Sequence, residues 1–223
     1  MSALPDPDPA RHPQLDWRDG GVPVSTRFDD PYFSLGGGLA ETRHVFLAGN
    51  GLPARLRPGF HVAELGFGTG LNCLALAQVA QMPVVMTSFE AWPMSVPQLE
   101  QAHAAFPDLA DLAAQLRAGW GGAAIRVGMV TLHLRIGDVA QTLPAWDGQA
   151  DGWFLDGFSP AKNPEMWGDA IMAHVGRCTA PGGTFATYTA AGGVRRALDA
   201  AGFTVERRPG FGRKRHMSAG VKP

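Results

Sequence analysis

The run His61-Val62-Ala63-Glu64-Leu65-Gly66-Phe67-Gly68-Thr69-Gly70-Leu71 decides the fold. His61 to Leu65 has strand character, three glycines follow at alternate positions, and Leu71 to Val79 reads as a helix. Glycines in such a turn let the main chain come close to a ligand, because a Cβ would occupy the space. The dinucleotide fingerprint would put its third glycine at position 71, where Leu71 stands; here it falls one residue earlier, at Gly70. Glu64, two positions ahead of Gly66, would repel a pyrophosphate and suits a cationic amino-acid group. The spacing matches the E-x-G-x-G-x-G form that binds S-adenosylmethionine, with Glu64, Gly66, Gly68 and Gly70 as cofactor residues. A nicotinamide dinucleotide, in an NAD-dependent oxidoreductase, and a tight turn with no ligand stay open as alternatives.

Outward from this turn, strands and helices alternate. Strands are expected at Val84 to Phe89, Val130 to Ile136 and Gly152 to Leu155, and at Thr184 to Thr189 after the turn Pro181-Gly182-Gly183. Helical stretches are Val96 to Arg117, broken at Pro107, then Glu165 to Cys178, and Val194 to Ala201 closed by Gly202. Phe203 to Arg207 and Lys214 to Ser218 form a final antiparallel pair. This is an α/β chain of the Rossmann-like class I methyltransferase type: a mostly parallel, seven-stranded sheet with helices on both faces. The part before His61 breaks the rhythm, with a strand expected at Val22 to Ser25 and a helix at Gly38 to Leu47. The expected organisation is a disordered tail over 1–14, an N-terminal lid or small subdomain over 15–60, and the methyltransferase domain over 61–223.

The chain has 223 residues, 45% of them hydrophobic, enough for one domain with a sizeable core. No apolar run approaches the roughly 20 residues that span a bilayer, and the Pro- and Asp-rich start, Met1 to Pro13, lacks the pattern of a secretory leader. Cys73 and Cys178 are the two cysteines and do not form a close pair, which argues against a disulfide framework or a metal site and fits the cytoplasm. Net charge is −1, yet the stretch from Arg195 to Pro223 carries eight Lys or Arg against Asp199 and Glu206. Such a locally basic edge suits phosphates.

Acidic residues recur where ligands bind, at the carboxyl ends of the strands. Glu90 ends the second strand, where a carboxylate accepts hydrogen bonds from ribose hydroxyls, and Asp138 follows the third, facing the adenine amino group. The fourth strand delivers Asp156-Gly157-Phe158-Ser159-Pro160-Ala161-Lys162-Asn163-Pro164. Amino-group methylation explains such a block. The attacking nitrogen needs a free lone pair, an aliphatic amine is mostly protonated at neutral pH, and a carboxylate can recruit, orient and deprotonate it. Asp156 is that candidate, more as an orienting group than as a base because an ordinary aspartate is a weak one. Phe158 could stack on a base and Lys162 could reach a phosphate, with Asn163 beside them.

These motifs resemble the methyltransferase domain of the MnmC family and its free-standing, MnmD-like relatives. The similarity runs through Phe28-Asp29-Asp30-Pro31-Tyr32-Phe33-Ser34, Val45-Phe46-Leu47-Ala48-Gly49-Asn50, Ala63 to Asn72, Ser88-Phe89-Glu90, Trp153 to Trp167, Tyr188-Thr189-Ala190-Ala191-Gly192 and Gly210-Phe211-Gly212-Arg213-Lys214-Arg215. The resemblance implies methyl transfer from S-adenosylmethionine to 5-aminomethyl-2-thiouridine at the tRNA wobble position, with S-adenosylhomocysteine as by-product. It assigns catalysis to Asp156 and a cofactor contact to Tyr32; the basic C-terminal stretch, through Arg195, Arg196, Arg213, Lys214 and Arg215, is where tRNA contacts are expected. It implies no metal and no membrane. The FAD-dependent oxidase that fused relatives carry is not expected on this chain, so a separate oxidase is the partner to look for. A non-catalytic RNA-binding or partner subunit is the competing expectation. Two departures stand out: Gly193 where the family has an aromatic, and Ala91 where it has Lys.

Overall fold

A computed structural model describes residues 12–18, 20–34 and 37–223. Residues 1–11 of the expected tail lie outside the described residues. His12 to Gln14 are docked on the body of the protein: His12 Nδ1 lies 2.7 Å from the Pro93 carbonyl oxygen, and Gln98 Nε2 donates to the Pro13 carbonyl.

The central sheet runs β10-β11-β9-β8-β4-β5-β7-β6. Its strands are β4 (Phe60–Leu65), β5 (Val84–Glu90), β6 (Ile125–Val127), β7 (Val130–Ile136), β8 (Ala150–Leu155), β9 (Thr179–Thr187), β10 (Thr204–Pro209) and β11 (His216–Val221). The five inner strands β9, β8, β4, β5 and β7 are parallel, while β6, β10 and β11 pair antiparallel. The count corrects the expected seven. Ile125–Val127 adds an eighth strand at the β7 edge, and at three residues it is too short for an alternating pattern to reveal. Strand order reverses at β4, and the chain leaves β5 and β8 on opposite sides of it, so a crevice opens at their carboxyl ends.

Alternation along the strands builds a core on each face. Val62 and Phe154 point to one side with α2 (Leu71–Val79) and α4 (Ala110–Ala118). Ala63, Leu65, Trp153 and Leu155 point to the other, against α6 (Asp169–Arg177) and α7 (Gly192–Ala200). The α2 helix is buried from Leu71 to Ala77, so it is wedged between the sheet and outer elements and shows no polar face there. α3 (Val96–His103) opens on a capping box, with Ser95 and Gln98 exchanging side-chain and backbone bonds.

Before β4, Leu15–Arg18, Val22–Ser25 and Asp30–Pro31 (β1, β2 and β3) form a separate antiparallel sheet. The expected helix Gly38 to Leu47 is a short α1 (Gly38–Thr42) that widens into a π-turn at Arg43–Leu47 and tightens to a 3-10 turn at Ala48–Asn50. Val45, Phe46 and Leu47 share the first core with Phe60, so the boundary drawn at residue 60 runs through packed side chains. Among the described residues no helix is long and apolar enough to cross a membrane.

Candidate active site

The carboxyl ends of β4, β5, β7 and β8 open into a cavity of about 1230 Å³. Its wall includes Gly66 to Thr69, Glu90, Asp138 and Asp156, and the N-terminal segment supplies Phe28, Tyr32 and Glu41. The expected cofactor residues separate into two groups here. Gly66, Gly68, Glu90, Asp138 and Tyr32 line the cavity; Glu64 and Gly70 do not.

Glu64 is the first of these two. It is 0% exposed and both carboxyl oxygens are engaged, one by Ser88 Oγ at 2.6 Å and the other by Asn72 Nδ2 at 2.9 Å. Burial pushes its pKa well above the ordinary range, against the two hydrogen bonds, and the nearby Asp156 and Glu90 add to the rise. Glu64 thus lies behind the cavity wall, its oxygens turned onto Ser88 and Asn72. Gly70 sits at the cap of α2 facing Phe67 and Leu116, so its role is packing. The turn itself is held from behind: His103 Nε2 donates to the Thr69 carbonyl oxygen at 2.8 Å, and Arg117 donates to His103 Nδ1. Desolvation keeps that imidazole below its usual pKa, in the neutral form that can accept from Arg117.

Glu90 receives the Gly68 amide on Oε2 at 2.9 Å and the Trp92 amide on Oε1 at 2.8 Å. The Ala91 and Phe67 amides also face the carboxylate, which lies on the cavity wall. Burial raises its pKa while these amide bonds oppose the rise. Asp138 caps α5 (Val139–Thr142) through one oxygen, which accepts from the Ala140 amide, and is exposed at the cavity rim. The Tyr32 ring packs on Gly68, where a Cβ would come within 2.9 Å of it. Burial, with Glu90 nearby, drives the Tyr32 phenol far upward, so it stays protonated.

Asp156 ends β8 and is half-buried, with Oδ2 accepting from Asn72 Nδ2 at 2.8 Å. Desolvation pushes its pKa up to about 7, against the Asn72 bond and the charge of Lys214. The loop after it is fastened on three sides. Tyr188 Oη donates to the Gly157 carbonyl oxygen at 2.6 Å, Trp167 Nε1 to that of Phe158 at 2.9 Å, and the Ser159 amide to Asp30 Oδ2 at 2.9 Å. Such fixing holds the carboxylate in one geometry before any ligand arrives.

Several expected nucleic-acid contacts have other neighbours. Phe158 lines the cavity, but one face of its ring stacks on Phe28 at 4.7 Å and Tyr32 meets it edge-on at 5.0 Å. Lys162 pairs with Asp29 and Asp30 in the N-terminal segment, so its charge is spent within the protein. Lys214 points into the cavity wall, 2.8 Å from Glu41 Oε1 and 4.1 Å from the Tyr188 ring centre. Asn163 and Arg213 line the cavity; Arg195, Arg196 and Arg215 stand outside it, with Arg195 half-buried on α7 and the other two exposed. At Gly193 a Cβ would meet nothing within 4 Å, so an aromatic there would enter open space. Sequence reasoning missed Asn72, Glu41, Tyr188, Phe28 and Trp92. Tyr188 stands just after β9, where the strand-end rule could have found it, and Asn72 lies in the first turn of α2, two residues beyond the last glycine. Phe28 opens the family-like stretch to Ser34 and was given no role of its own, and nothing in the pattern marks Trp92 or Glu41.

Proteins of known sequence resemble this chain over most of its length. The tRNA 5-methylaminomethyl-2-thiouridine biosynthesis bifunctional protein MnmC of Caulobacter vibrioides is 48% identical over 94% of this chain and 38% of its own. The protein of that name from Chromobacterium violaceum is 47% identical, over 94% and 34%. The chain thus spans under two fifths of the length of these relatives. The crystal structure of MNMC2 from Aquifex aeolicus superposes with a TM-score of 0.74 at 22% identity, over 98% of this chain and 74% of that one, a likeness of fold. A family model described as S-adenosyl-L-methionine-dependent methyltransferase matches residues 100–223. The cavity fits that cofactor: it offers a glycine turn, a carboxylate at Glu90 and an acid at Asp138, and its volume exceeds that of a typical small-ligand pocket. The nicotinamide alternative is thereby set aside, and the chain belongs to the S-adenosyl-L-methionine-dependent methyltransferase family, with proteins named MnmC among its relatives.

Proposed function

We propose that the chain methylates the exocyclic amine of 5-aminomethyl-2-thiouridine at the wobble position of tRNA, giving 5-methylaminomethyl-2-thiouridine and S-adenosylhomocysteine. The observation that carries this reading is Asp156: a carboxyl group titrating near neutrality, fixed at the floor of a cavity that also holds the cofactor turn. Bound S-adenosylmethionine supplies an electrophilic methyl group on a positively charged sulfur. Asp156 attracts the substrate ammonium, aims its nitrogen and accepts one proton, which frees the lone pair for attack. A carboxyl with a pKa near 7 is a far better acceptor at neutral pH than an ordinary aspartate. The names of the relatives support the same product. The test is methyl transfer from labelled S-adenosylmethionine to tRNA bearing the free aminomethyl group, read by nucleoside mass spectrometry. A purified chain that binds the cofactor and leaves that tRNA unmethylated would overturn the reading.

Glu90 holds the ribose in this reading, and Asp138 the adenine end. Glu90→Ala removes charge-assisted hydrogen bonds and should weaken cofactor binding by about 1–3 kcal/mol, roughly 5–150-fold in Kd. Calorimetry that finds the same Kd would remove the assignment.

The tRNA backbone meets the basic C-terminal region. Among the described residues Arg213 at the cavity mouth and the exposed Arg196, Arg207 and Arg215 have no carboxylate within salt-bridge distance, with Arg195 beside them, whereas Lys162 and Lys214 are paired. Phosphate contacts make log affinity fall with log salt by roughly 0.7–0.9 per contact. Arg213→Ala with Arg215→Ala should flatten that slope by about one contact's worth or more, measured by filter binding across salt; an unchanged slope would move the RNA surface elsewhere. Work on tRNA puts the protein in the cytoplasm. The relatives are named bifunctional; an FAD-dependent oxidase that makes the amine, on its own chain or joined to this one, is the partner this reading calls for.

A further inference from the structure

We propose that Asn72 is a positioning residue for Asp156, and that the sealed Glu64–Ser88 pair serves to hold Asn72 and not the cofactor. The inference rests on the proposed role of Asp156. It stands on one bridge: Asn72 Nδ2 donates to Glu64 Oε1 at 2.9 Å and to Asp156 Oδ2 at 2.8 Å, joining the end of β4 to the end of β8 through α2. Ser88 Oγ on β5 takes the other Glu64 oxygen at 2.6 Å, and Ser88 is the register partner of Glu64 in the sheet. Three strands and a helix thus converge on one amide. Asn72 is 4% exposed, and its Oδ1 has no hydrogen-bond partner among the described residues. An unmade bond on a buried acceptor is destabilising, and an apolar residue would pack on α2 without it. The double donation to the two acids is what this residue provides in exchange.

The bridge acts on Asp156 in two ways. It fixes the carboxyl rotamer, and it favours the charged form, since a hydrogen bond to a carboxylate stabilises the ion. The other charged or titratable groups around Asp156 are Lys214, Glu41 on α1, Glu64 on β4 and Tyr188 after β9. Lys214 supports the ion, and the acids oppose it. With Asn72 gone, only Lys214 and the Gly157 amide would support the ion, and Asp156 should titrate higher.

The test follows the Asp156 carboxyl by carbon-13 NMR across pH in the wild-type chain and in N72A, with D156N to assign the resonance. N72A should move the Asp156 midpoint up by about one pH unit, and S88A should move it the same way by less. This readout needs no substrate, so it stands or falls apart from the tRNA assignment. Where methyl transfer is measurable, the acidic limb of kcat should shift by the same amount in N72A, with cofactor Kd retained. An unmoved midpoint in a folded N72A, checked by its melting curve, overturns the proposal. Loss of cofactor affinity with an unmoved midpoint overturns it in favour of a direct cofactor contact. If N72A does not fold, N72S is read in its place: its shorter hydroxyl cannot span both acids, and an unmoved midpoint there overturns the proposal equally.

Discussion

Asp156→Ala is expected to lower the methylation rate on tRNA by about 10²–10⁴-fold, the scale of a positioned acid-base group, while S-adenosylmethionine affinity stays nearly intact. The separation follows from placement: Asp156 faces the cavity from the end of β8, while the glycine turn and Glu90 belong to β4 and β5. In the wild-type chain the rate should climb as pH rises through about 7, because only the ionised carboxylate can pair with an ammonium and accept its proton. Asp156→Ala should lose that limb and gain rate only as the amine itself deprotonates. If orientation dominates, Asp156→Asn keeps more activity than Asp156→Ala; if proton acceptance dominates, the two are equally poor. Linkage gives a second readout. The folded-state pKa lies above the unfolded value, so Asp156 favours the folded chain at acidic pH, and that contribution is lost as pH rises through about 7. Asp156→Asn should therefore resist urea better than wild type above neutrality. A variant with wild-type rate at every pH would take Asp156 out of the mechanism.

Gly66→Ala should be the most damaging single change to the fold. The added Cβ would overlap the carbonyl oxygen of Asp156, a backbone atom with no rotamer to escape into, and φ at residue 66 is +83°. The neighbouring bonds leave no slack: the Gly66 amide donates to the Phe89 carbonyl at 2.9 Å, and the Asp156 amide to that of Leu65 at 3.0 Å. Overpacking costs about 1–3 kcal/mol and a left-handed backbone on a residue with a Cβ roughly 1 kcal/mol more. A drop in melting temperature of roughly 5–15 °C is the expected reading by calorimetry. A melting point within a degree of wild type would mean that β4 and β8 separate more easily than their packing implies.

The parallel core was readable because its elements are long and its glycines sit where a strand meets a helix. Leu71–Val79 and Val130–Ile136 have the bounds that the residue pattern suggested. β6 and the short α5 were not readable, since three or four residues carry no period. In the site, Glu90, Asp138 and Asp156 followed from the rule that ligands meet strand ends. The burial of Glu64 was not legible, because its position in the motif says nothing about access; only Ser88, one strand over, reveals that it is sealed. Lys162 and Lys214 read as phosphate ligands because a sequence does not display their partners, which lie 133 and 173 residues away.

β11 lies between β9 and β10, although it follows both in the chain. Residues 204–209 therefore have no sheet partner of their own until residues 216–221 arrive, and they wait as an unpaired edge while the chain is being synthesised. On the ribosome the inner strands can assemble early, but the wall that carries Lys214 closes only after β11 has left the exit tunnel. The basic wall of the cavity is thus the late part of the fold, complete only once β11 is free to slide between β9 and β10.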